Sequence, residues 1–152
     1  MIYVIIIGAH IFSFFMILSG LPETIVSSIE DLGLNKYIIL ILLYIMFIIL
    51  GSIFDTVAAM VITLPFVYPL IVNLGFDPIW WGVINVIVME IGMITPPIGM
   101  NVFVMHGMAK HLPITTIFKG IAPFAGADLV RLALVTCFPA LALWLPNLWG
   151  YL

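Results

Sequence analysis

Oxygen-bearing side chains interrupt the apolar runs of this sequence in two short stretches. Ser52, Asp55 and Thr56 lie in Gly51-Ser52-Ile53-Phe54-Asp55-Thr56, and Thr95 lies in Gly92-Met93-Ile94-Thr95-Pro96-Pro97-Ile98-Gly99. Hydroxyl, carboxylate and backbone carbonyl oxygens are the hard donors that an alkali cation requires. Glycines at 51, 92 and 99 allow close backbone approach. Gly51, Ser52, Asp55, Thr56, Gly92 and Thr95 are therefore the candidate Na⁺ ligands. The tandem proline removes two backbone donors and disfavours helix at the residue before it, so a helix must break near Thr95. A break leaves carbonyls free at one helix end and N–H groups at the next. The first suits a cation and the second an anion. Asp55 has a competing use, as a cap on the N–H groups of Val57 and Ala58.

The elements that must carry these residues follow from composition. The chain has 152 residues, of which 65% are hydrophobic and 7% charged, with a mean hydropathy of +1.37. Apolar runs of that length need a bilayer as solvent. The net charge of −3 has no basic stripe, which argues against nucleic-acid binding. Cys137 is the single cysteine; it cannot form an internal disulfide, has no metal-ligand spacing around it and reads as a packing residue. His106 and His111 do not form a metalloprotease motif, and no nucleophile–base pair is legible, so an enzyme is not expected. The run from Met1 to Leu18 lacks the basic lead-in of a signal peptide, and reads as a membrane anchor or the truncated start of a longer protein.

The expected fold is all-α and polytopic in a membrane: one transporter repeat with a re-entrant helical hairpin and a broken transmembrane helix. Its parts are a transmembrane helix over 1–19, an interfacial helix over 21–34, the hairpin over 37–74, the broken helix over 79–107 and a last transmembrane helix over 120–149. For 21–34, Pro22 suits a first turn and Ile25, Ile29 and Leu32 share a face; a polar loop is the competing reading. Tyr37–Leu50 would make about 21 Å of helix, short for a crossing of about 30 Å, which favours a hairpin that dips in and returns. Two crossings joined at 51–56 would also account for the residues. Pro65 and Pro69 interrupt the second arm, and Pro139 is expected to kink the last helix.

Orientation follows from charge. The 20–36 connection is acidic and 108–119 carries Lys110, His111 and Lys119, so 108–119 is assigned to the cytoplasm and 20–36 to the outside. Met1 then starts in the cytoplasm and Leu152 ends outside. Glu90 lies deep in an apolar segment and is expected to pair or cap rather than carry protons. Asp128 and Arg131, three residues apart, are expected to form an ion pair near the outer part of the last helix. His10 and His106 read as packing or interface residues.

The order and spacing of Gly51-Ser52-Ile53-Phe54-Asp55-Thr56, Leu64-Pro65, Pro69, Leu74-Gly75-Phe76-Asp77-Pro78 and Ile91-Gly92-Met93-Ile94-Thr95-Pro96-Pro97-Ile98-Gly99-Met100-Asn101 resemble the large membrane subunit of TRAP transporters, the tripartite ATP-independent periplasmic transporters, in its C-terminal half. Pro123-Phe124 and Leu143-Trp144-Leu145-Pro146 also fit. The resemblance implies a multi-pass protein of the bacterial inner membrane that imports a small, C4-dicarboxylate-like carboxylate. Na⁺ would be the coupling ion, with no other cofactor. Thr95, Pro96, Pro97, Gly99 and Asn101 are then the candidate substrate contacts. Implied partners are a small membrane subunit, a periplasmic substrate-binding protein and a missing N-terminal half of the large subunit, which would bring the second, inverted repeat. The alternatives are a carboxylate carrier that works without a binding protein and a non-transporting membrane scaffold fragment.

Overall fold

A computed structural model describes residues 2–31, 33–96 and 98–150. Pro97, a candidate substrate contact, lies outside the described residues, as do Met1, Leu32 and Leu152. Among the described residues all regular structure is helical: α1 (Ile2–Leu18), α2 (Leu21–Asp31), α3 (Lys36–Ile53), α4 (Thr56–Asn73), α5 (Pro78–Ile94), α6 (Met100–Met108), α7 (Ile114–Cys137) and α8 (Ala140–Leu148). Helices α3, α4 and α7 are long and apolar enough to cross a membrane, and α1 with α2 would be a fourth span bent by 65°.

Helix α3 is longer than its apolar run. Asn35 caps it by accepting from the Tyr37 N–H at 3.0 Å. At the other end Gly51, Ser52 and Ile53 stay helical. Its 18 residues span about 27 Å, close to the thickness of a hydrocarbon core. The shortness expected over 37–50 therefore does not hold, and length no longer argues for re-entry. The turn between α3 and α4 is only Phe54–Asp55.

Proline breaks these helices selectively. α4 runs unbroken through Pro65 and Pro69, and α7 through Pro123, so the expected interruption of the second hairpin arm is absent. A lone proline forfeits one hydrogen bond, which a membrane helix tolerates. Pro96-Pro97 forfeits two in succession and restricts the residue before each ring, and α5 ends at Ile94. The last helix also differs from its expected span. It starts at Ile114, with Thr115, Thr116 and Lys119 already helical, and Pro139 divides it into α7 and α8 rather than kinking it.

The core forms where α3 lies along α5. Both start at one level, where Tyr37 meets Phe76 edge-on with ring centroids 6.2 Å apart. Tyr44 then stacks on Trp81 at 6.3 Å. Phe47, Ile84, Val88 and Met89 are fully buried between the two helices. α7 runs back along α5, with the Trp80 indole N–H donating to the Val135 carbonyl at 2.9 Å. On the opposite flank α2 packs on α4 through Pro22 and Val26, and α1 packs there too, with Phe12 6.3 Å from Phe66. Ile25 and Ile29 are only half-buried, so the inner face of α2 is turned slightly from the one read in the sequence.

Candidate functional site

The α3–α4 tip and the break after α5 come together because two glycines leave room. A Cβ on Gly92 would stand 2.6 Å from the Ile48 carbonyl oxygen and 3.0 Å from the Gly51 backbone. One on Gly51 would stand 2.7 Å from the Met89 carbonyl oxygen. No side chain fits either gap, so the two helix backbones touch here. Between membrane helices apolar burial supplies little drive, and close packing of small residues substitutes for it. Gly51 and Gly92, read as cation ligands, thus have a positioning role that the geometry accounts for directly.

The hydroxyls around this crossing all donate to partners within the chain. Ser52, fully buried, donates to the Ile49 carbonyl at 2.8 Å. Thr56, the first residue of α4, donates to the Met93 sulfur at 2.8 Å and so ties the tip to the last turn of α5. The Thr95 hydroxyl donates to the Ile91 carbonyl. Each proton is committed within the protein, and each oxygen keeps lone pairs of the polarity a cation accepts. Carbonyls add to this. Pro96 and Pro97 have no N–H to offer the carbonyls of Gly92 and Met93. Gly92 accepts instead from the Thr95 N–H at 3.1 Å.

Asp55 caps α4: one carboxylate oxygen accepts from the N–H groups of Val57 and Ala58, each at 3.1 Å. The residue is exposed. The capping use weighed in the sequence is the one the fold adopts, and it leaves the second carboxylate oxygen out of the cap.

Of the candidate substrate contacts, Thr95 is half-buried and extended at φ −102°, Pro96 is exposed, and Asn101 is exposed on the first turn of α6. Gly99 caps α6 in the left-handed region at φ 62°, where a side chain would be strained. A Cβ there would also lie 3.3 Å from the Phe118 ring and from the Thr95 carbonyl oxygen. The glycine thereby lets the chain leave the break and enter α6 where that helix packs against α7. Its carbonyl accepts from Val102 and Phe103 at 2.8 and 3.1 Å.

The sequence reading missed Met93 as the partner of Thr56 and Phe118 as the wall behind Gly99; neither residue type signals such a role. It also missed Asn85, one of the few polar residues within the apolar α5 segment. Asn85 is 6% exposed, on the α5 face that also carries Trp81 and Gly92, and its Oδ1 and the Trp81 indole N–H lack partners among the described residues. Arg131 lies 3.2 Å from Asp128, as the spacing predicts, but also 3.1 Å from Glu90.

The C4-dicarboxylate TRAP transporter large permease DctM of Pseudomonas aeruginosa is 35% identical over 150 residues, covering 99% of this chain and 35% of the relative. The isethionate TRAP permease DctMQ of Oleidesulfovibrio alaskensis is 32% identical over 144 residues, covering 95% of this chain and 22% of the relative. The sialic acid TRAP large permease SiaM of Vibrio cholerae is 29% identical over 147 residues, covering 96% and 34%. The chain spans about a third of the length of the C4-dicarboxylate relatives it matches. The family model described as "Tripartite ATP-independent periplasmic transporter, DctM component" matches residues 1–141. With nearly its whole length matched, this multi-pass, all-helical chain of the bacterial inner membrane belongs to the DctM component family of TRAP transporters.

Proposed function

We propose that this chain is the ion-site segment of a permease that imports a small organic carboxylate, C4-dicarboxylate-like, down a sodium gradient. The observation that carries the reading is the contact of the α3–α4 tip with the α5 break. There Ser52 adjoins Gly51, Thr95 follows Gly92 by three residues and Thr56 bonds to Met93, each hydroxyl proton being already committed to a partner within the chain. Two interruptions of membrane helix can satisfy one another through a shared cation, which offsets the cost of burying free carbonyls. The uncapped oxygen of Asp55 adds negative charge, and the N–H end of α6, beyond Pro96 and Gly99, suits the substrate carboxylate. Asn101, on that turn, is a contact of the same substrate.

In this reading α3 and α4 form a re-entrant hairpin. Its support is that α7 runs on past the level of the break, with about four residues of helix, roughly 6 Å, before Phe118 packs at Gly99. The 109–113 connection, with Lys110 and His111, faces the cytoplasm. The remaining two-thirds of a relative-length permease would supply the inverted repeat, and with it the second half of the substrate site. A small membrane subunit and a periplasmic binding protein complete the transporter. The process moves solute without a chemical step. Relatives named for C4-dicarboxylate, isethionate and sialic acid all take organic anions, and the higher identity to the C4-dicarboxylate permeases supports that class here.

The test is sodium-dependent carboxylate uptake by a complete permease containing this segment. Thr95→Ala and Asp55→Asn are each expected to raise the sodium concentration for half-maximal uptake by about tenfold, roughly 1.4 kcal/mol of lost ligation. Asp128→Ala is expected to leave it unchanged. An unaltered sodium dependence in both variants would remove the proposed site.

A further inference from the structure

Helices α5 and α7 share a second face, away from α3. On α5 it carries Val83, Val86 and Glu90; on α7 it carries Phe124, Asp128 and Arg131. Arg131 bridges Glu90 at 3.1 Å and Asp128 at 3.2 Å. The side chains of Arg131, Glu90 and Asp128 remain 46%, 53% and 28% exposed.

The level of this cluster matters. Asp128 is about 21 Å along α7 from Ile114 and about 14 Å from Cys137. Glu90 is about 18 Å along α5 from Pro78. Both positions fall near mid-depth of a hydrocarbon core of about 30 Å. Around them Val83, Val86 and Phe124 are exposed and apolar. Acyl chains against this face would leave ionised groups half-solvated by hydrocarbon, an arrangement membrane proteins avoid by turning such residues toward protein or a water-filled cavity. The cluster also has two carboxyl groups for one guanidinium, so one acid lacks a cation of its own.

We propose that this α5–α7 face is an intramembrane interface that receives a membrane-spanning protein segment bearing one Lys or Arg at mid-depth, set against Glu90. The apolar rim takes the segment's aliphatic side chains, and the basic group completes the pairing that Arg131 leaves short. A second copy of this chain is disfavoured as the occupant. Facing copies would bring four acids to two guanidinium groups. The inference rests on membrane placement and on the charge count, and it stands whether or not the sodium site does.

Photo-crosslinking in the full chain, expressed from its own locus in its bacterial membrane, tests it. Benzoylphenylalanine replaces Val86 or Phe124, with Ile45 on the exposed side of α3 as the reference site. Irradiation is expected to join sites 86 and 124 to a polypeptide whose cross-linked peptide, read by mass spectrometry, is a membrane-spanning segment containing Lys or Arg. Glu90→Gln is expected to lower the yield at both sites about fivefold and leave Ile45 unaffected. If Glu90→Gln also removes the Ile45 adduct, Val86→Arg replaces it. That variant supplies the missing cation from the chain itself and is expected to lower the yield at site 124 alone. Adducts with lipid only, with a second copy of the chain, or with a segment lacking a basic residue would overturn the proposal. So would no adduct where the Ile45 site reacts, or a yield indifferent to the variants.

Discussion

Helix α5 presents two faces that are held in different ways. Toward α3 it is sealed: Ile84 and Val88 are fully buried, and at Gly92 the two backbones touch. Toward α7 and beyond, the Glu90–Arg131–Asp128 cluster is half-open and electrostatic. The first contact tolerates no added atom, since backbone on one side meets backbone on the other. The second tolerates change within this chain, because long side chains can re-aim and the pairing is incomplete. The sealed face fixes geometry, which suits a site needing oxygens in register. The open face suits joining to other protein.

Substitutions at three positions probe that contrast. The largest effect is expected at the seal. Gly92→Leu drives a side chain into the Ile48 carbonyl and the Gly51 backbone, and should destabilise the fold by about 3 kcal/mol or more. Unfolding of the purified chain in mild detergent, followed by helical circular dichroism, would measure it. A loss below about 1 kcal/mol would mean that the helices can part without cost, which would undo the distinction between the faces.

A smaller effect is expected at the tip. Asp55→Ala removes the α4 cap and should cost about 1 kcal/mol in the same assay, whereas Asp55→Asn keeps an acceptor and should cost a few tenths at most. This pair separates the structural use of Asp55 from its proposed use as an ion ligand. An equal loss in both variants would show that the carboxylate charge, rather than the cap, carries the stability.

The smallest effect belongs to the open face. Glu90→Gln removes one half-exposed partner of Arg131 while Asp128 remains, and should change the stability of the isolated chain by less than about 1 kcal/mol. A loss matching that of Gly92→Leu would mean that the ionic cluster holds the bundle together, and that its exposure does not mark it as a joining surface.

Much of this was legible beforehand. Apolar runs identified the helices and the bilayer, and Pro96-Pro97 located the break, because a missing N–H is a property of the residue itself. The Asp55 cap was readable as one of two options, since an acid just before a helix has N–H groups within reach. The end of α3 was not readable: Gly51 and Ser52 looked like a breaking tip, yet they remain helical because α5 packs against them. The start of α7 was obscured by Thr115, Thr116 and Lys119, polar residues that a helix end carries as readily as a loop does.

Local chemistry in the sequence therefore determined where helices can exist and where one cannot continue. Only the tertiary structure decided what the glycines are for, because a missing side chain acquires meaning from whatever occupies the space. It likewise decided that Arg131 answers to Glu90 as well as Asp128. The i,i+3 pair is written into the helix repeat, while Glu90, 41 residues away, reaches Arg131 only because α5 and α7 pack in opposite directions at that level.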